Sequence, residues 1–327
     1  MEAKTDNSLV TVLGCGVLGL TSAVRILERG YRVQIVAREL PPATTSDVAA
    51  AIWHPFKASP PEKVAEWARA SYRAYRQLAS VPGTGVRFVD MDHVFAKPEP
   101  EPWWVRSEYR FRRLPPDQLP NGYVDGFRVE VPLIETPLFM PYLMRRFLEL
   151  GGTVLEKSID RIDTFCGPGR PVVNCTGLGA GKLVNDPETF PIRGQVVKVK
   201  TNGVSRFISD ESLRLAYVLP RSVDCVLGGT VEPNRWDLTP DPQTTEDILE
   251  RCRHMVPDLQ SAVVLKAQVG LRPGRSRVRL EAQGASNGTG LLIHNYGHGG
   301  SGFTLCWGCA DDVVGLLGTA SGSSSGG

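Results

Sequence analysis

At 327 residues the chain is more than twice a typical domain, so it holds two domains or one large α/β domain with insertions, and either can bury a large core. Hydrophobic residues at 42% and charged residues at 22% sit near the globular average, and a formal charge of +2 gives no global field for nucleic acid or an anionic membrane. Disorder, collagen and coiled coil are excluded. The departure is glycine, 34 residues or about 10% against a usual value of about 7%, with proline also high at 25.

The N-terminal reading is a short buried strand over Leu9–Leu13, a helix over Val17–Glu28 and a second strand over Arg32–Val36, the start of a βαβ unit. Leu9–Val24 imitates a signal-peptide core, but Glu2 and Asp6 dilute the preceding charge, three glycines interrupt it, and no small-residue cleavage site closes it. It is also too short to span a bilayer. Seven cysteines, an odd number scattered along a long chain, point to a reducing compartment, so the expected setting is cytoplasmic.

After a polar turn at residues 41–46, Val64, Trp67, Ala68, Tyr72, Tyr75 and Leu78 recur at helical spacing across Glu62–Ala79, a stripe that reads as core. Residues 83–132 read as an irregular β-rich insertion, with a strand at Val86–Val89. A helix is predicted from Pro137 to Leu150, stopped by Gly151-Gly152, with strands at Thr153–Glu156 and from Val172 into the Gly177 turn. Further strands fall at Gln195–Val199, Ala216–Leu219 and Cys225–Leu227, then a helix at Thr245–Met255 with Thr244 and Asp247 as its cap pair. The last strand is Leu291–His294 and the last helix Phe303–Leu317, followed by a flexible glycine- and serine-rich tail, residues 319–327. A peroxisomal address lost from that tail stays open.

The expected architecture is α/β: a Rossmann-like dinucleotide-binding domain built from residues 1–56, 139–189 and 273–318, whose chain leaves twice, at 57–138 and 190–272, to build a β-rich substrate or interface domain.

Gly14-Cys15-Gly16-Val17-Leu18-Gly19 matches GxGxxG directly between the first strand and helix. Glycine permits the tight turn, lets backbone approach a pyrophosphate and allows close helix packing, while the helix N-terminus presents unpaired N–H groups. The acidic residue expected after the second strand is displaced, with Arg38 near its place, so FAD, NADP and NAD stay open at this point. Near the other end, residues 296–302 concentrate four glycines before a helix, a loop that exposes backbone to a ligand. Upstream, Arg272 is flanked by glycine and apolar residues, which suits a guanidinium holding a carboxylate; the alternative is an arginine paired structurally with Asp or Glu.

Together the segments VTVLGCGVLGLTSA (10–23), TTSDVAAAIWHP (44–55), NCTG (174–177), RGQVVKV (193–199), YVLP (217–220), LGGT (227–230), GLRPGRSRVRLE (270–281) and HNYGHGGSGFTLCWGCA (294–310) resemble the D-amino-acid oxidase family. The resemblance implies an FAD enzyme that oxidises a D-amino acid to an imino acid, which hydrolyses to a 2-oxo acid and ammonia, while O₂ is reduced to H₂O₂. It places Gly14, Gly16, Val17 and Leu18 on the FAD pyrophosphate, Arg38 on the adenosine side, and Thr44, Thr45, Ala50, Ala51, Ile159 and Thr176 along the same wall. Gly297, Gly299, Gly300, Gly302, Phe303 and Thr304 would wrap the flavin end. Arg272 and the Tyr217 hydroxyl would hold the substrate carboxylate, and the Gly300 carbonyl its amine. Pocket tyrosines of some members are replaced here by Leu213 and Val231, which implies neutral, bulky D-amino acids; His54 or Arg221 as an extra cation keeps D-aspartate open, and glycine oxidation on the same scaffold is a further alternative. A nucleotide-binding protein without oxidase chemistry is the reading from another class.

Other constellations carry less. Cys306-Trp307-Gly308-Cys309 has no second CxxC, and His294 and His298 share no helical face, so no metal site is expected. Trp103-Trp104 with Arg106, Arg110, Arg112 and Arg113 reads as interface or solvated surface and not as a nucleic-acid stripe, leaving a homodimer open.

Overall fold

The computed structural model describes residues 8–322 except 56, 57, 106, 211, 213, 214 and 286–289. The chain opens with β1 (Leu9–Leu13), α1 (Val17–Glu28), β2 (Arg32–Ala37), a one-turn α2 (Thr45–Val48) and the long α3 (Pro61–Leu78). A first excursion forms β3 (Val86–Phe95), the two-residue β4 (Arg112–Arg113) and β5 (Asp125–Ile134). The chain returns through α4 (Thr136–Glu149), β6 (Thr153–Glu156), β7 (Val172–Asn174) and a short α5 (Gly179–Leu183). A second excursion holds β8 (Phe190–Lys200), β9 (Phe207–Asp210), β10 (Ala216–Pro220), β11 (Cys225–Gly228), β12 (Glu232–Pro233), α6 (Pro242–Met255) and β13 (Val263–Gly274). β14 (Arg279–Gly284), β15 (Leu291–Tyr296) and α7 (Gly302–Gly322) complete the order.

These strands form two sheets. One has the order β14-β15-β7-β1-β2-β6 and is parallel except for β14. Its central strands are apolar and buried on both faces: Val10, Val12, Val173 and Ile293 join the core with α1, α3 and α7, whereas Leu13, Val36, Val172 and Leu292 pack with Ile162, Phe165 and Leu183. The other has the order β12-β8-β11-β10-β9-β3-β5-β4, with β13 on the far side of β8, and is antiparallel except where β3 meets β9. α1 and α3 both pack on α7; Gly308 allows this, since a Cβ there would lie 2.4 Å from the Trp67 backbone, and Trp67 Nε1 donates to Asp312 at 2.8 Å. The buried stripe of α3 is core, as its spacing predicts.

Four local expectations change. α6 begins at Pro242, whose fixed φ suits a first helical position, and its cap is Asp241, which accepts from the Thr244 N–H at 2.7 Å; the Thr244 and Asp247 pair does not cap it. α7 runs on to Gly322, so residues 319–322 continue the helix in place of the expected tail, while 323–327 lie outside the described residues. Trp104 is 6% exposed and packs edge-on against Trp53, so this half of the Trp103-Trp104 pair is core, whereas Trp103 is half exposed. Two of the neighbouring cations are paired locally, Arg110 with Glu130 at 3.1 Å and Arg113 with Asp125 at 2.8 Å; Arg112 is exposed, and Arg106 lies outside the described residues.

Candidate active site

In a doubly wound sheet the ligand crevice lies beyond the carboxyl ends of the strands where the order reverses. Here that point is the gap between β1 and β7, because β1 connects to β2 on one side while β7 lies on the other. Gly14 leaves β1 with φ of 101°, and a Cβ there would sit 2.5 Å from the Cys175 carbonyl oxygen. At Gly19 a Cβ would be 2.0 Å from the Gly14 carbonyl oxygen, so the loop and the helix can close on each other only with glycine at both places. Gly16 heads α1 without a side-chain cap. The Val17 N–H donates to Ser46 Oγ at 2.9 Å, which ties α2 across the loop, and the other first-turn N–H groups have no intrahelical partner. Thr44 is held by its N–H and hydroxyl on the Asp47 carboxylate at 3.0 and 2.7 Å.

From this loop a cavity of about 1060 Å³ runs across the seam between the two sheets. It matches the upper end of ligand pockets, about 300–1,000 Å³, and so suits a dinucleotide plus a small substrate. Gly14, Gly16, Val17, Leu18, Arg38, Thr44, Thr45, Ala50, Ala51, Ile159 and Thr176 line it, as do Gly299, Gly300, Gly302 and Phe303. Gly297 and Thr304 do not line it. Gly297, at φ 84°, makes the turn out of β15, and a Cβ would press on Arg275 at 2.9 Å. The Thr304 hydroxyl donates to the His54 carbonyl at 2.8 Å and accepts the His54 N–H at 3.0 Å, fastening α7 to the segment after α2. Arg38 reaches the cavity edge, 73% exposed at its side chain and paired with Glu39 at 2.8 Å.

The far end is built from side chains on the antiparallel sheet. Tyr217 stands opposite Ser209 on one side and Gly228 on the other, and Ser209 opposite His93. The Tyr217 ring lies over Gly228, where a Cβ would come within 1.9 Å of Cζ, so its hydroxyl is directed toward β11 and β8. The Arg272 guanidinium lies in the same way over Gly194, where a Cβ would be 2.2 Å from Nη1. Arg272 donates to the Thr230 carbonyl at 3.0 Å and has no carboxylate partner among the described residues. Its neighbours differ: Arg275 pairs with Asp186 and Glu188 at 3.0 and 3.1 Å, and Arg279 with Glu281 at 2.7 Å. Burial pushes the Tyr217 phenol up, while the Arg272 charge pulls the other way, so the hydroxyl is neutral and can donate. The Gly299 N–H donates to the Pro273 carbonyl at 2.8 Å, which moors the glycine loop, Gly300 included, to the residue after Arg272.

Sequence reasoning missed the two glycines that make room for these side chains, Gly194 and Gly228. Their signal was present in Arg193-Gly194-Gln195 and Gly228-Gly229, glycines inside strands, which mark a close approach. Also unforeseen is His93, whose Nδ1 lies 2.8 Å from Ser209 Oγ; His298, weighed in the sequence only as a metal ligand, lines the cavity with its Nε2 3.4 Å from Cys309 Sγ. Burial pulls His298 down to about 3 and His294 to about 4, the latter helped by the Arg279 charge, so both are neutral at pH 7. Of the two extra cations considered, Arg221 is spent. Its guanidinium grips Asp224 at 2.7 and 2.8 Å, is fully buried and does not line the cavity, whereas His54 does. Leu213 lies outside the described residues and Val231 lines the cavity. All seven cysteines are buried with free thiols.

A switch-point glycine loop joined through one cavity to an arginine and a tyrosine on a second sheet defines a dinucleotide-dependent oxidoreductase fold. The profile of the FAD dependent oxidoreductase family, DAO, matches residues 10–316, and the chain belongs to that family. It is 45% identical over 312 residues to a D-amino-acid oxidase of Rubrobacter xylanophilus, covering 94% of this chain and 95% of that one. It is 34% identical over 325 residues to human D-aspartate oxidase, covering 95% of each. Among solved structures, a glycine oxidase from Bacillus cereus superposes with a TM-score of 0.81 at 22% identity, over 96% of this chain and 98% of that one, which shows the shared fold. FAD is thus the cofactor. The residues present fit it: a glycine loop in which a Cβ at Gly14 or Gly19 would run into backbone, an uncapped helix N-terminus, and a cavity of sufficient size.

Proposed function

We propose that the protein oxidises neutral D-amino acids to 2-oxo acids with release of ammonia and H₂O₂. The observation that carries this reading is the convergence of Arg272, Tyr217 and the Gly300 loop at one end of the cavity whose other end is the GxGxxG loop. FAD, when bound, accepts two electrons from the substrate and passes them to O₂. The chain's own part is to bind and orient. Arg272 takes the carboxylate, since its guanidinium is otherwise unpaired with any acid among the described residues. The neutral Tyr217 hydroxyl donates to the same group, and the Gly300 carbonyl accepts from the amine. Loss of the Cα hydrogen as hydride and of one proton from nitrogen leaves the imino acid, which water hydrolyses to the 2-oxo acid and ammonia; O₂ gains two electrons and two protons to give H₂O₂. Three anchored groups select the hand of the substrate, because the other isomer would direct its hydrogen away from the acceptor.

The burial of Arg221 against Asp224 favours neutral over acidic substrates, leaving His54 as the one candidate among the two for an added cation. We assign the parallel sheet and its helices to the cofactor and the antiparallel sheet to the substrate. No helix among the described residues is long and apolar enough to cross a membrane, and seven free thiols suit a reducing, cytoplasmic setting. The test is H₂O₂ release from a panel of D- and L-amino acids by purified yellow protein. Neutral D-amino acids are expected to respond; an exclusive response to D-aspartate or glycine transfers the assignment to those substrates, and a colourless, inactive protein overturns it.

A further inference from the structure

We infer that Arg193 and Gln195 are positioning residues for substrate binding, acting through the segment 229–241, which they hold in place as a strap over the substrate end of the cavity. The inference rests on the reading of Arg272 as the carboxylate clamp.

Apart from these side chains, few bonds fix the strap: the Asn234 N–H donates to the Pro191 carbonyl at 2.8 Å and the Gly229 N–H to the Leu215 carbonyl at 3.3 Å. Residues 233–239 are exposed, and beyond the two-residue pairing of β12 on β8 their backbone follows no regular element. Yet the strap supplies the Thr230 carbonyl that holds the Arg272 guanidinium, and it brings Val231, Trp236 and Leu238 to the cavity wall. From beneath, Arg193 Nε donates to the Asp237 carbonyl at 2.8 Å, Nη1 to Glu232 at 2.5 Å, and Nη2 to the Thr239 carbonyl at 2.7 Å. Gln195 completes the fastening: its Nε2 donates to the Asp241 carbonyl and Thr245 Oγ1 at 2.8 and 2.9 Å, and its Oε1 accepts the Asp241 N–H at 2.8 Å. The Gln195 backbone N–H donates to Thr230 Oγ1 at 2.9 Å, on the very residue whose carbonyl holds Arg272.

Both side chains are fully buried. A buried arginine costs several kcal/mol unless its donors are paired, and a well-packed apolar residue gives equal stability, so its use here is explained by the geometry it imposes. That geometry sets the place of the Thr230 carbonyl, hence the direction of Arg272, on which carboxylate recognition depends. A displacement of about 1 Å at such a site costs on the order of 10²-fold.

The test uses the holoenzyme and three variants, Gln195→Leu, Arg193→Met and the isosteric Thr230→Val, which removes only the hydroxyl that accepts the Gln195 N–H. Readouts are KM and kcat for D-alanine, the Kd of propionate, which is D-alanine without its amine and cannot be oxidised, the flavin content, and Tm. Expected are rises of tenfold or more in KM and propionate Kd for Gln195→Leu and Arg193→Met, about threefold for Thr230→Val, with kcat within threefold and flavin content unchanged. A lowered Tm with unmoved KM and Kd makes the network merely structural and overturns the inference. Should the two large variants fail to fold, Thr230→Val decides alone: an unchanged propionate Kd refutes it. If Arg272→Ala leaves propionate binding intact, the clamp reading itself fails; if Arg272→Ala weakens it and Gln195→Leu does not, only this inference falls.

Discussion

The two ends of the cavity are made of different materials. The nucleotide end is backbone: Gly14 and Gly19 leave no room for a Cβ, Gly16 heads α1 uncapped, and the first turn of α1 supplies the charge complement. The substrate end is side chain: Arg272 and Tyr217 reach over glycines on neighbouring strands and are steadied by a strap held from below. A backbone site is closed to an added atom where it is packed, as at Gly14 and Gly19, whereas a side-chain site tolerates shape changes but not loss of charge. Substitutions at the two ends should therefore fail in different ways.

The largest effect is expected at the backbone end. Gly14→Ala needs φ of 101° and puts a Cβ 2.5 Å from a carbonyl oxygen, so both fold and cofactor site suffer, by about 3 kcal/mol or more in stability, with protein purifying colourless. Gly16→Ala sharpens the point. With φ of −74° and only Ser46 Oγ near, at 3.1 Å, it is expected to change stability by less than about 1 kcal/mol while weakening FAD binding tenfold or more, read by flavin titration of apoprotein.

Arg272→Ala comes next. It is expected to leave a folded, yellow protein whose carboxylate binding falls by roughly 2–5 kcal/mol, seen as KM or propionate Kd. A loss of flavin with the clamp would break the division between the two ends.

An intermediate effect concerns the joint between them, β15 and its loop. His294 and His298 have pKa values lowered from 6.5 to about 4 and about 3, so between pH 6.5 and 4 the unfolded chain binds protons that the folded one does not. Their contribution is complete above pH 6.5 and is lost as pH falls toward 4, each at about 1.4 kcal/mol per pH unit. Urea unfolding across that range should show the slope, and His298→Asn should flatten it; an unaltered slope would remove His298 from the account. The smallest effect is Tyr217→Phe, about 1.5–3 kcal/mol at the carboxylate, the range for one hydrogen bond to a charged group. A loss exceeding that of Arg272→Ala would reverse the ranking.

The same contrast decides what is legible in the sequence. β1 and α1 can be read to the residue, since buried apolar runs and helical spacing are local, and GxGxxG is a backbone demand written in one residue type. The far end cannot. Tyr217 and Arg272 come from a family resemblance, and their neighbours depend on register across five strands, in which Gly194 faces Gly270 and Gly228 faces Tyr217. Nothing local in Ser209 or His93 announces that they share a row. β13 is hidden because its first four residues are exposed while glycines interrupt the rest, which blurs the alternation. The resemblance puts Thr304 on the cofactor, whereas its hydroxyl is spent on the His54 backbone.

The strand order of the parallel sheet also bears on synthesis. β1, made first, lies beside β7, and β7 beside β15, which ends at Tyr296 of a 327-residue chain. The sheet therefore cannot close until the ribosome has made β15. Until β15 emerges, β7 offers three buried, apolar-flanked residues as an open edge, a site for wrong pairing. A nascent chain must therefore deliver β15 before β7 gains its second neighbour.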